Sequence, residues 1–262
     1  MTLASLGAHP VSVVTALTVQ DTGGMTAVLP VEPEWIEDQA RALLEDAPVA
    51  AFKVGSLVSV EAVAVVAGIL SDYPELPVVM HPTLHFPGED DAQAEPLLDA
   101  WLDLLLPQAT VLVIDRHEAG RLVGDNADGA DDGGDGDEGQ PAAAVCAPAD
   151  MAGMLLDSGC EAVVFTGFVD SSGLPGIVLY GDGGHSEFMA WEALPAGFHG
   201  IGDTLSAAVA AGLAGGDAIA DAVRAAREYT GQSIDAGYLP GMGRAVPDRF
   251  FWAREGDTDG PA

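Results

Sequence analysis

Lysine is nearly missing from this chain. Lys53 is the single lysine in 262 residues, and nine basic residues in all stand against 41 acidic ones, a formal net charge of −32. That deficit excludes nucleic acid and anionic membrane surfaces as partners, since both are held by positive surface. An acid-rich, lysine-poor surface suits a high-salt cytoplasm, where ions screen the self-repulsion. This bears on habitat and not on reaction. Cysteine is scarce too. Cys146 and Cys160 fit neither a metal clip nor a disulfide framework, so a reducing, cytoplasmic setting is the default. No uninterrupted apolar run is long enough to cross a bilayer. The opening Met1-Thr2-Leu3-Ala4-Ser5-Leu6-Gly7 has no basic stretch and too short an apolar run for a signal peptide.

Apolar residues are plentiful at 48%, enough for one large α/β domain or two small ones. The first residues read as the end of a helix stopped by Gly7. Val11–Val19 is β-rich and apolar enough for a buried strand. Strands then alternate with helices: a short strand at Ala27–Val31, a helix at Glu34–Glu45, strand Ala50–Val54, helix Val60–Leu70, strand Pro77–Met80, helix Ala94–Leu106, strand Thr110–Ile114. After an interruption come a helix at Asp150–Asp157, a strand at Ala162–Thr166, hairpin strands near Ile177–Tyr180 and Glu187–Trp191, and helices Leu205–Ala214 and Asp217–Thr230. Such alternation predicts a mostly parallel sheet covered on both faces. Ligands bind at the carboxyl ends of its strands. The loops to search are therefore Gln20–Gly24, Gly55–Ser56, His81–Pro87, Asp115–Glu118 and Gly200–Asp203.

The interruption, Gly124–Ala149, is acidic and of low complexity, and it cannot bury enough apolar surface to order itself. Its Asp/Gly run lacks the offset glutamate of a calcium loop, so a solvated insertion is expected. His81, His85 and His117 lie close enough in sequence for zinc, but Pro82 opposes the helix that would align the first two. Lys53, near a strand end, reads equally as a phosphate contact or as half of an ion pair.

One stretch carries more chemistry than these: His199-Gly200-Ile201-Gly202-Asp203-Thr204-Leu205-Ser206-Ala207-Ala208. Two glycines bring backbone close to a ligand, and Asp203 and Thr204 are good N-cap residues for the helix that follows. A helix start favours an anion. A carboxylate beside it can take a proton from a hydroxyl attacking a phosphate. The residues alone fit this phosphoryl-transfer reading and also a plain glycine turn capping a packing helix.

Together with Thr15-Ala16-Leu17-Thr18-Val19-Gln20-Asp21-Thr22, Phe52-Lys53-Val54-Gly55, Leu105-Leu106-Pro107 and the ending Gly241-Met242-Gly243 with Phe250-Phe251-Trp252, this stretch resembles the hydroxymethylpyrimidine/phosphomethylpyrimidine kinases of thiamine biosynthesis, members of the ribokinase-like superfamily. The resemblance covers nearly the whole chain. It implies an α/β fold of three layers, α/β/α, in one kinase domain over residues 1–255, with residues 124–149 as an insertion and 256–262 as a frayed tail. It implies Mg2+ with ATP as co-substrate, a pyrimidine alcohol as acceptor, and a homodimer. By position, Asp203 matches the catalytic base, Gly200, Ile201 and Gly202 the anion hole, and Gln20 the residue that binds the pyrimidine. Glu118 matches the acidic residue that organises magnesium and phosphate.

Departures from the family pattern set further expectations. The family opens with a core strand and a Gly-Gly-Ala-Gly loop, whereas this chain starts where the family is inside its first helix, so the first strand is expected to be missing. Asp203 stands where these kinases usually carry Cys, and Ser56 where they carry a substrate-lining Met. His81-Pro82 replaces an Asp-Pro, and a neutral imidazole cannot replace a carboxylate near magnesium. Arg116 replaces an Asn near the phosphates, and Thr166-Gly167-Phe168 replaces a common Lys-Gly-Gly. The alternatives are a pyridoxal-type kinase, which Asp203 and Ser56 favour, and a catalytically impaired ligand-binding paralogue, which His81 and Arg116 favour.

Overall fold

The structure, a computed structural model, describes residues 1–84, 86–87, 91–124, 146–191 and 197–254. In chain order the elements are α1 (Thr2–Ser5), β1 (Ala16–Gln20), β2 (Met25–Pro30), α2 (Pro33–Asp46), β3 (Phe52–Val54), α3 (Val60–Ser71), β4 (Val78–Met80), α4 (Asp91–Ala100), β5 (Val111–Asp115) and α5 (Arg116–Val123). They continue with α6 (Pro148–Asp157), β6 (Ala162–Val169), β7 (Pro175–Gly181), β8 (His185–Ala190), α7 (Ile201–Ala214) and α8 (Ile219–Asp235). The expected acidic insertion lies almost wholly outside the described residues, as do His85 and the tail.

Six strands form one sheet in the order β3-β4-β5-β6-β7-β8. The first four are parallel, and β7 and β8 run antiparallel as a hairpin added to the far side. Side chains alternate between the two faces along each strand. Leu112 and Ile114 of β5 and Val163 and Phe165 of β6 enter one apolar core, which α3, α4, α5 and α6 complete. Val111, Val113, Ala162 and Val164 enter a second core on the opposite face, closed by α7 and α8. This burial on both faces is why β5 reads as an unbroken apolar run. The result is the expected three-layer α/β/α architecture.

Most expected elements hold within a few residues, and three differ. The β-rich run Val11–Val19 is not a buried strand of the main sheet. Among the described residues its strand, β1, pairs only with β2, in a separate antiparallel hairpin that leaves Leu17, Val19 and Leu29 about 60% exposed. An apolar β run specifies an extended chain but not what covers it. The expected helix Ala94–Leu106 is α-helical only to Ala100. A widened π turn over Trp101–Leu105 and a 3-10 turn over Leu106–Gln108 complete it, and Trp101, Leu105 and Leu106 all become fully buried. Asp115–Glu118, expected as a loop, is the start of α5, with Asp115 Oδ1 accepting the Glu118 N–H at 2.8 Å.

Phe165 is a fair probe of the first core. It is 1% exposed and meets Tyr180 edge-to-face at 5.8 Å. Phe165→Ala is expected to lower the unfolding free energy by about 3–5 kcal/mol in chemical denaturation; a loss below about 1 kcal/mol would mean that the core had collapsed to fill the space.

Candidate functional site

The carboxyl ends of the parallel strands converge on the start of α7. β3 ends at Val54 and is followed by Gly55-Ser56. β4 ends at Met80, followed by His81. β5 ends at Asp115, whose partner in β6 is Thr166. α7 packs against β3, β4 and β5, so its first turn sits over these ends.

The helix starts earlier than the N-cap residues suggest. Gly200 is the N-cap residue, at φ +84, a conformation that glycine adopts without strain. Ile201, Gly202 and Asp203 therefore lie inside the first turn, where backbone N–H groups have no intrahelical acceptor. Thr204 does not cap. Its hydroxyl donates to the Gly200 carbonyl at 2.7 Å, tying the turn together. Gly202 is required by a close approach. A Cβ there would run into the His81 imidazole, against which the helix start is packed.

Three titratable or charged side chains face Asp203. The Lys53 ammonium lies 3.2 Å from Asp203 Oδ1, with Lys53 21% exposed and Asp203 65% exposed. Of the two readings open for Lys53, the structure shows the ion pair, and it joins the one lysine to the candidate base. His81 directs Nδ1 at the Val113 carbonyl, 2.9 Å away. A carbonyl only accepts, so Nδ1 carries the proton and the ring's other nitrogen faces Gly202. Arg249, from the C-terminal segment, donates Nε to the Thr204 hydroxyl at 3.1 Å and Nη2 to the Gly200 carbonyl at 3.4 Å. Protein packed around Asp203 pushes its pKa up, but Lys53, helped by Arg249 and, in acid where its ring is protonated, by His81, carries it below the ordinary carboxylate value. Burial, opposed by Asp203 and the Val113 carbonyl, lowers the His81 pKa below 6.5. At neutral pH the site therefore holds an ionised carboxylate and a neutral imidazole.

Gln20 joins the same loop from the hairpin, its side-chain amide hydrogen-bonding the His199 ring. The hairpin tip is held by the C-terminal segment. Gly243 donates its N–H to the Thr22 hydroxyl at 3.0 Å and Arg244 its N–H to the Thr22 carbonyl at 2.7 Å, and a Cβ on Gly243 would strike the Thr22 backbone. That approach accounts for glycine in the Gly241-Met242-Gly243 signature. Ser56 follows β3, its carbonyl accepting the Thr15 hydroxyl at 3.1 Å. Thr166, at the end of the parallel part of β6, directs its hydroxyl at the Ile114 carbonyl, 3.5 Å away.

Glu118 lies beneath the loop that follows His81. Its Oε1 accepts the Leu84 N–H at 3.1 Å, and Arg121 lies 3.9 Å from Oε2. Among the described residues Oε2 is buried without a hydrogen-bond donor. Burial raises the Glu118 pKa, opposed in part by the Leu84 N–H. Arg116 is exposed at the first position of α5. Among the described residues no three His, Cys, Asp or Glu side chains are grouped to hold a metal; His85, one of the three histidines weighed for zinc, lies outside them.

The structure brings Asp203, the glycines and Gln20, all singled out from sequence, to the start of α7 and the loop before it. Sequence reading missed Arg249 and His199 as partners. Neither has a local pattern, since Arg249 meets Thr204 only after the chain has passed through α7 and α8.

Residues 1–247 match the family described as phosphomethylpyrimidine kinase. A curated hydroxymethylpyrimidine/phosphomethylpyrimidine kinase of Streptomyces coelicolor is 32% identical over 253 residues, 96% of this chain and 87% of its own. Among solved structures, a Bacillus subtilis pyridoxal kinase in complex with ADP superposes with a TM-score of 0.75 at 22% identity, covering 96% of this chain and 90% of that one. A phosphomethylpyrimidine kinase of Clostridium difficile superposes with a TM-score of 0.66 at 22% identity, covering 87% and 88%. These two share the ribokinase-like fold with this chain. The match along residues 1–247 and the identity to the Streptomyces enzyme establish that the chain, with this arrangement at the start of α7, belongs to the phosphomethylpyrimidine kinase family.

Proposed function

We propose that this protein uses ATP to phosphorylate 4-amino-5-hydroxymethyl-2-methylpyrimidine and then its monophosphate, in thiamine biosynthesis. The observation that carries the reading is Asp203, ionised, in the first turn of α7, beside backbone N–H groups that have no intrahelical partner. The names of the matching kinases support the substrate.

In the first reaction the hydroxymethyl oxygen attacks the γ-phosphorus. The new P–O bond forms as the bond to the β–γ bridging oxygen breaks, and that electron pair leaves with ADP. Asp203 accepts the hydroxyl proton. The amides of Ile201, Gly202 and Asp203 hold the charge on the phosphoryl oxygens. Gln20 reads the pyrimidine edge. Ser56 lines the acceptor side, and Arg116 and Thr166 the nucleotide side.

Magnesium suits these residues in one way only. It keeps several waters and phosphate oxygens and needs one or two carboxylates. Oε2 of Glu118, which meets no hydrogen-bond donor among the described residues, suits that requirement, whereas the neutral His81 does not. When bound with ATP, the ion neutralises phosphate charge. Glu118 is the group that would hold it, directly or through water.

A homodimer in the cytoplasm is part of the same reading. A two-stranded hairpin is marginal alone in water. The exposed Leu17, Val19 and Leu29 of β1 and β2 support a second copy as their cover.

Asp203→Ala is expected to lower kcat for the pyrimidine alcohol by roughly 10²–10⁴-fold, measured with Mg2+ and ATP. Wild-type speed in the variant, or preferential phosphorylation of pyridoxal by the wild type, would overturn the reading. A second expectation concerns His81. Its folded pKa lies below 6.5, so its contribution to stability is present above that value and is lost as pH falls through the folded pKa. Between about pH 7.5 and about pH 5, wild type should lose stability relative to His81→Asn in chemical denaturation. A constant difference would contradict a neutral imidazole.

A further inference from the structure

Positive charge is rare in this molecule, yet the lone lysine is spent beside Asp203. Its ammonium lies 3.2 Å from the carboxylate, and it is largely buried. Gly55 leaves room for it, since a Cβ there would come within 3.2 Å of Nζ. The other groups facing Asp203 are already committed. His81 Nδ1 is bound to the Val113 carbonyl, and Arg249 to Thr204 and Gly200. Lys53 is thus the cation in direct contact with the candidate base.

The two acceptors of the proposed reaction make opposite demands on that base. An alcohol must lose a proton as it attacks. A phosphomonoester has a second pKa of about 6, so at neutral pH its oxygen is already anionic and needs no base. For that acceptor a bare carboxylate is a liability, because like charges side by side cost several kcal/mol. An acceptor oxygen within about 3 Å of Asp203 Oδ1 lies within about 6 Å of the Lys53 ammonium.

On the reading of this site as a pyrimidine kinase, we propose that Lys53 is the specificity-determining residue that admits a phosphomonoester where an alcohol also binds. It positions the Asp203 carboxylate for the alcohol and offsets its charge for the phosphate. In the second reaction a phosphate oxygen attacks the γ-phosphorus and a P–O–P link forms. The bond to the β–γ bridging oxygen breaks, ADP leaves with the electron pair, and Asp203 takes up no proton.

The test compares wild type, Lys53→Met, Lys53→Arg and Asp203→Asn. Steady-state kinetics with Mg2+ and ATP are measured for the alcohol and the monophosphate separately, and calorimetry measures each acceptor without nucleotide. Lys53→Met should lose at least about tenfold more kcat/KM and affinity for the monophosphate than for the alcohol, and Lys53→Arg should restore most of the difference. In Asp203→Asn the charge to be offset is gone, so the monophosphate-to-alcohol ratio of kcat/KM should rise above that of wild type. With Lys53→Met, the acid limb of the alcohol reaction should move to higher pH, which a packing role for Lys53 would not cause. Equal losses for both acceptors in Lys53→Met overturn the inference while leaving the kinase reading intact. If Lys53→Met does not fold, an unchanged ratio in Asp203→Asn overturns it. A wild type that neither binds nor phosphorylates either acceptor overturns the kinase reading, and the inference with it.

Discussion

A helix that begins against the end of a parallel sheet has almost no room at its first turn. In this protein that crowding sets the site. α7 lies across the ends of β3, β4 and β5, and its start presses on the His81 ring. Gly200 turns the chain in, and Gly202 leaves space for the imidazole. Because the turn is packed this closely, its N–H groups and the Asp203 carboxylate are directed to one place. Their orientation is present before any ligand arrives, which is the condition for electrostatic stabilisation of a transferring phosphoryl group.

Charge is arranged around the same point. The molecule is strongly acidic, so an approaching nucleotide meets repulsion over most of its surface. Lys53, Arg249 and the amides of α7 oppose that field locally. Each cation is held by protein partners: Lys53 by Asp203, Arg249 by Thr204 and Gly200. These contacts keep Asp203 ionised despite the protein packed around it. The same contacts explain why His81 is compatible with the site. Its proton is donated to the Val113 carbonyl, so it adds shape and no charge.

The fold was largely legible because its physics is local. A stretch of strand buried on both faces must be apolar throughout, and Val111–Ile114 of β5 and Ala162–Phe165 of β6 are. Gly124, at φ +71, closes α5 as a helix-ending glycine does. The errors came where local preference is silent about neighbours. The run at Val11–Val19 has the composition of a core strand, but among the described residues its one partner strand is β2, and it stands open to water. Asp203 and Thr204 have N-cap chemistry, but a positive φ at Gly200 let the helix start at Ile201, four residues before the expected Leu205.

The sequence by itself determined the layered α/β/α order, the glycine-rich helix start with an acid in it, and the scarcity of cations. These depend on residue type and spacing along one segment. Only the tertiary structure decided which cation meets which acid. Lys53, His81, Asp203 and Arg249 come from four segments far apart in the chain. They meet because parallel strands send their carboxyl ends to a common edge, and because α8 and the C-terminal segment fold back over α7. Pairings of that kind are set by topology, and no pattern within any one segment encodes them.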